Sequence, residues 1–241
     1  AKPCARRRSI TPGRCRCELG SLNDVVQRCP LDDAEIGAAC RDTLCGLRYL
    51  HEEKRTIHRD IKGPNLLLTA TGVVKLADFG VSSVTQGTMA QANTVIGSPM
   101  WMAPEAITGG GYTYTADIWS LGITVMELAA GGRPPRATLP SPLVAMFQIV
   151  NEPPPALASP PHSPGLVELV ALCLVKDPDA RPGCAPAGET CRAGRSTDTA
   201  PKGSDLAPTD PGAQPEQRWR LAVASTARLR PLERRGCSPP P

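Results

Sequence analysis

Between residues 32 and 52 the chain reads DDAEIGAACRDTLCGLRYLHE, and Ile36, Cys40, Leu44, Leu47 and Leu50 recur at intervals of three and four. That period lines them up on one face of a helix, with Asp32 or Asp33 available as its N-cap. In NLLLTATGVVKLADFG the period changes, and two short apolar runs, 66–68 and 73–76, flank a glycine-containing turn. They predict a β-hairpin. Residues 115–130, TADIWSLGITVMELAA, return to a helical pattern with Ile118, Leu121, Val125 and Leu128 as its buried stripe, and Gly131-Gly132 ends it. Two more helices begin at Ser-Pro pairs, Ser141-Pro142 and Ser163-Pro164, where Ser caps and Pro takes the first helical position. The order is helix, hairpin, loop and then several helices.

After Pro182 the apolar period disappears and the chain becomes rich in Pro, Gly, Ala, Ser and Thr. Such a composition cannot bury enough apolar surface to fold, so residues 183–241 read as a low-complexity, disordered tail. Trp219, Leu221 and Val223 are its candidate binding segment. The whole composition agrees: 41% apolar residues suffice for one sizeable core, but 3% aromatics and 27 prolines in 241 residues imply that part of the chain is not packed.

The ten cysteines form no repeated CxxC pair, which argues against a zinc site. Cys40, Cys45 and Cys173 fall on apolar helix faces, where a reduced thiol behaves as a small hydrophobe. The chain opens AKPCARRRSI, with neither an initiator Met nor an apolar run of signal-peptide length, and reads as a fragment or processed product. No stretch approaches the ~20 apolar residues that span a bilayer. A cytoplasmic protein without a membrane span is the expectation. The net charge of +4 is modest and shows no basic face with interleaved aromatics, so no nucleic-acid partner is expected.

The chemistry concentrates in TIHRDIKGPNLLL, residues 56–68, which crowds Asp60, Lys62 and Asn65 against a hydrophobic strand. An Asp-Phe-Gly beginning at Asp78 follows the hairpin. Oxygen ligands used this sparingly suit Mg²⁺, which keeps waters and shares its shell with phosphates. Phosphoryl transfer needs such a metal, a proton acceptor and a cation on the moving phosphate.

These motifs resemble a eukaryotic Ser/Thr protein kinase: HRDIKGPN looks like the catalytic loop, DFG the metal-binding motif and APE, at 103–105, the end of the activation segment. The resemblance implies that Asp60 accepts the substrate hydroxyl proton, Lys62 contacts the transferring phosphate of ATP, and Asn65 and Asp78 hold Mg²⁺. Lys62 also implies Ser/Thr rather than Tyr specificity. The stretches TMAQANTVIGSPMWMAPEAI and ADIWSLGITVMELAAG narrow the likeness to the germinal-centre kinases, most closely the Hippo-type branch, over about residues 20–182. On that likeness Thr94 is an activating site for an upstream kinase, its phosphate pairing with Arg59. Ser98, where the family usually has Thr, positions the substrate hydroxyl, and Met100 replaces a usual Phe. Glu105 and Arg181 match a buried ion pair, and Asp117 the anchor beneath the catalytic loop.

A kinase also needs a glycine-rich loop and a strand Lys on the ATP phosphates. No GxGxxG precedes Asp60, and the lysines before it are Lys2 and Lys54. The expected fold is therefore α+β, a kinase-like large lobe that is mainly helical with a small hairpin and lacks the small lobe. An unassigned arm, 1–17, precedes the partial kinase domain, 18–182. The implied function is transfer of the ATP γ-phosphate to protein Ser/Thr hydroxyls in intracellular signalling. The alternatives are an inactive kinase lobe serving as a protein-interaction module, and a mis-spliced product without a stable fold.

Overall fold

The computed structural model describes residues 20–78, 83–84, 98–157 and 162–184. Helix α1 (Leu22–Val26) starts at a reciprocal cap: Ser21 Oγ accepts the Asp24 N–H, and the Asp24 carboxylate accepts the Ser21 N–H. Two otherwise orphaned donors are thereby satisfied. Helix α2 (Asp33–Arg48) repeats the device with Asp32 and Glu35, which selects Asp32 as the cap. Asp33, the first residue of α2, instead accepts from His162 Nδ1 at 2.8 Å and from the Ser163 N–H. All five apolar positions predicted for the buried face are buried. A π-helical turn, Tyr49–Glu53, continues α2 and buries His51.

After β1 (Thr56–Ile57) and a 3-10 turn, Gly63–Asn65, strands β2 (Leu66–Leu68) and β3 (Val74–Leu76) form the predicted antiparallel hairpin, with Leu66 opposite Leu76 and Leu68 opposite Val74. Val73 stays in the turn because both the N–H and the Oγ1 of Thr69 bond to its carbonyl. Gly46 of α2 lets the hairpin approach, since a Cβ there would lie 2.8 Å from Leu76 Cδ1. The backbone of residues 20–21 pairs with β2 on its other side: the Leu68 N–H donates to Gly20 O at 3.0 Å. A second antiparallel pair was not foreseen: β4 (Ser83–Val84) pairs with β1. Two-residue strands far apart in sequence leave no periodic signal.

The remaining helices are α3 (Pro104–Ile107), α4 (Tyr114–Ala129), α5 (Pro142–Asn151) and α6 (Pro164–Cys173). Ser141 and Ser163 cap α5 and α6 as expected. Gly131 and Gly132, both at positive φ, end α4, and the Gly132 N–H closes on Glu127 O at 2.8 Å. The predicted apolar stripe of α4 is buried, but so is every residue of its middle, 116–128, the polar ones included. Helix α4 runs through the interior, packed against α2, α6 and the 3-10 turn Pro99–Trp101, so it has no solvent face. Gly122 lets α6 come close, since a Cβ there would meet Cys173 Cβ at 2.6 Å.

Cys40 and Cys173 are reduced and buried. Cys45 departs from the expectation: it is half-buried and disulfide-bonded. The core extends to Cys184, two residues past Pro182. The 1–17 arm, Thr94 and the tail from 185 onward lie outside the described residues. Among the described residues no helix is long and apolar enough to cross a membrane.

Candidate active site

The loop between β1 and β2 is shaped from below. Asp117, 1% exposed in the first turn of α4, accepts from the backbone N–H groups of His58 and Arg59, each at 2.9 Å, and from His51 Nε2 at 2.8 Å. One buried carboxylate thus fixes the entry of the loop, and three donors compensate its desolvation. His51 Nδ1 then faces Cys184 Sγ at 3.5 Å. With Nε2–H directed at the carboxylate, Nδ1 is the acceptor, and burial holds the Cys184 thiol well above its usual range as the donor.

His58 is fully buried and bonded through both nitrogens: Nδ1 lies 3.3 Å from the Asp60 N–H and Nε2 lies 3.2 Å from Ala77 O. Those partners select the neutral Nε2–H tautomer. Burial agrees with this, lowering the His58 pKa below its ordinary value against the pull of Asp117. Ala77 also donates its N–H to Asn65 O at 2.9 Å. Two bonds on Ala77 therefore bring the next residue, Asp78, to the loop. Arg59 and Asp78 take left-handed backbone angles, φ +71° and +65°, an uncommon choice for Arg that is sustained by the Asp117 bond to its N–H.

Three of the sequence-predicted residues meet around the Asp60 carboxylate. Lys62 Nζ lies 2.8 Å from Oδ2, Asn65 Nδ2 donates to Oδ2 at 2.8 Å and to the Asp60 carbonyl at 2.7 Å, and Ser98 Oγ donates to Oδ1 at 3.0 Å. Lys62 Nζ closes the ring by donating to Ser98 Oγ at 2.7 Å. Because both Asn65 contacts are to acceptors, its NH₂ must face them, and its carbonyl Oδ1 is left for a cation. That donor, with the exposed Asp78 carboxylate one residue beyond Ala77, fits the small oxygen-ligand set expected for Mg²⁺.

Further from the loop, Arg181 and Glu105 form the expected pair, with Nη1–Oε1 at 2.7 Å and Nη2–Oε2 at 3.1 Å. The Arg181 guanidinium also donates to the carbonyls of Thr115, Val175 and Lys176 and lies over the Trp119 ring. It ties the APE helix α3 to the segment after α6. The Arg59 guanidinium sits 5.3 Å from the Tyr112 ring, and its Nε is buried without a hydrogen-bond partner among the described residues. Burial pushes the Tyr112 hydroxyl up to about 12.

Three participants carried no assigned role in the sequence reading: His51, His58 and Glu127. Glu127, 1% exposed, accepts the Gly63 N–H at 2.9 Å and the Trp101 indole N–H at 3.0 Å. The available signal was the series Asp117, Ser120, Thr124 and Glu127, polar residues at helical spacing in an otherwise apolar segment.

An acid, a lysine and an asparagine converge on one point, backed by a buried anchor, the kind of arrangement that phosphoryl transfer requires. Residues 15–190 match the protein kinase domain, and the chain belongs to the protein kinase family. It is similar to Serine/threonine-protein kinase cst-1 of Caenorhabditis elegans, 49% identical over 68% of this chain and 33% of the relative. It is 48% identical to Serine/threonine-protein kinase hippo of Drosophila melanogaster, over 68% of this chain and 25% of the relative. Serine/threonine-protein kinase pakF of Dictyostelium discoideum is 48% identical over 68% of this chain and 14% of its own length. The likeness is to Ser/Thr kinases of the Hippo type. The chain spans a third or less of the length of these curated relatives.

Proposed function

We propose that this chain carries the phosphate-end half of a Ser/Thr protein kinase site, acting on the γ-phosphate of ATP and the hydroxyls of protein substrates in cytoplasmic signalling. The observation that carries this reading is the closed ring of Asp60, Lys62 and Ser98 with Asn65 beneath it. The Ser98 hydroxyl supports it directly: a hydroxyl here donates to a carboxylate and accepts from an ammonium, the two contacts a substrate hydroxyl requires before transfer. Asp60 accepts the proton of the attacking hydroxyl, and Lys62 meets the charge on the transferring phosphate. Asn65 Oδ1 and Asp78 hold Mg²⁺, which supplies neutralisation of the phosphate oxygens.

Arg59 is the cationic donor to a phosphate on Thr94, placed there by an upstream kinase. Its buried, unpartnered Nε supports that role. Residues before Asp60 contain neither a glycine-rich loop nor a strand lysine. The adenine-side contacts therefore come from elsewhere, and this chain by itself binds Mg-ATP weakly. The alternative reading is a non-catalytic lobe that engages other proteins.

Phosphotransfer to a generic basic protein, compared between this chain and Asp60→Asn, tests the proposal. Loss of a general base lowers the rate about 10²- to 10⁴-fold. Equal background counts from both would remove the enzymatic reading of the chain and leave the interaction lobe.

A further inference from the structure

Helix α5 sets Ala145 and Ile149 into the interior and leaves an apolar flank outside: Leu143 is 74%, Phe147 67% and Val144 38% exposed. Positions 143, 144 and 147 lie within one turn of each other on the same flank. Phe147 is one of two phenylalanines in the chain, and it faces water. The other exposed large hydrophobics, Tyr49, Val73 and Val167, stand on three separate segments. An apolar cluster of this kind marks a surface that something covers, whereas single exposed residues do not.

Three observations select the cover. The first is reach. Lys176 Nζ donates to the carbonyls of Val150 and Glu152, at 2.6 and 2.8 Å, so the segment that runs on to Cys184 passes the C-terminal end of α5. Trp219 follows Cys184 by about 35 residues rich in Pro, Gly, Ala, Ser and Thr, and chain of that composition spans roughly 30 Å. A helix the length of α5 is about half as long. The second is chemistry. Trp219, Leu221 and Val223, which lie outside the described residues, are accompanied by Arg218, Arg220, Arg228 and Arg230, with no Asp or Glu from 217 to 232. Acidic side chains outnumber basic ones among the described residues. Two exposed acids, Asp177 and Glu152, the latter paired with Arg136 at 3.7 Å, stand where Lys176 meets α5. The third is size. Leu143, Val144 and Phe147 can bury at most a few hundred Å², short of the ~800 Å² per partner of a stable complex. This flank alone does not hold a second copy or a free protein, but a tethered segment, at an effective concentration in the millimolar range, is held by a weak contact.

We propose that residues 217–230 of this chain dock in cis on the Leu143, Val144 and Phe147 flank of α5, with Trp219 against Phe147 and the arginines toward the acidic end of the helix. Helix α5 packs against the 3-10 turn Pro99–Trp101, so the docked segment borders the turn that Ser98 begins and closes this flank to other proteins. The docking does not depend on the kinase reading.

The full chain carrying 5-fluorotryptophan provides the test, since fluorine NMR separates Trp101, Trp119 and Trp219, and Trp219→Phe assigns the third. Docking predicts a Trp219 resonance away from its position in urea, with a reduced solvent shift between H₂O and D₂O. Leu143→Ser combined with Phe147→Ser, both at exposed positions, moves it to the urea position while the buried Trp119 resonance stays. A Trp219 resonance at the urea position in wild type, or one that the double variant leaves in place, would overturn the proposal. A benzophenone amino acid at position 143 then identifies the cover. On illumination of dilute protein, a cross-link within one chain to the peptide that contains Trp219 is expected. A cross-link to any other segment, or one that joins two copies, would overturn docking in cis.

Discussion

Arg181 illustrates how much a single buried side chain can hold. Its ion pair with Glu105 is enclosed, and three backbone carbonyls depend on the same guanidinium. Breaking a buried pair from one side leaves an uncompensated charge and costs about 3–5 kcal/mol. Glu105→Ala is expected to lower stability in urea by that amount, and Arg181→Met by more, because it also orphans the carbonyls. His58 makes a prediction about pH. Its folded pKa lies below the unfolded value of about 6.5, so the unfolded chain binds the extra proton first. Its stabilising contribution is complete above pH 6.5 and is lost as pH falls through the folded pKa. The gap in urea midpoint between wild type and His58→Gln should narrow from pH 7.5 to pH 5; a constant gap would remove the neutral-histidine assignment. Asp33 behaves in the same direction at lower pH. Burial alone would raise its pKa, but the hydrogen bonds from His162 and Ser163 outweigh it.

At the scale of elements, most of what is seen here was legible along the chain. The hairpin, the Ser-Pro starts and the face of α2 each depend on residues within one or two turns of one another. Helix α4 was legible in its extent, its buried apolar stripe and the anchoring place of Asp117, whereas the bonds of Ser120, Thr124 and Glu127 depend on a loop and a turn distant in the chain. Two measurements bear on these elements. Gly122→Ala pushes a methyl into Cys173 and Leu174, and overpacking of this kind typically costs about 1–3 kcal/mol, read as a lower urea midpoint with an unchanged m-value. Ser141→Ala removes the acceptor for the Val144 N–H and is expected to cost about 1 kcal/mol. A neutral Gly122→Ala would mean that α4 and α6 are less closely packed than described.

For the molecule as a whole, the described residues form one continuous core, from Leu22 through α4 to Cys184, to which the loop between β1 and β2 contributes Ile61. A thermal-shift titration should show little stabilisation by Mg-ATP, because the residues before Asp60 supply no glycine-rich loop. A rise of several degrees that disappears in Asp78→Asn would reverse that expectation. The residue types of the site, its order of motifs, the helix caps and the hairpin were determined by the sequence itself, through spacings of a few residues. The pairing of β1 with β4, the tautomer of His58, the disulfide state of Cys45 and the duty of Glu127 were decided only by the tertiary structure. The reason is physical: a period reports which residues share a face, whereas whether that face meets water or another segment depends on chain brought from far away.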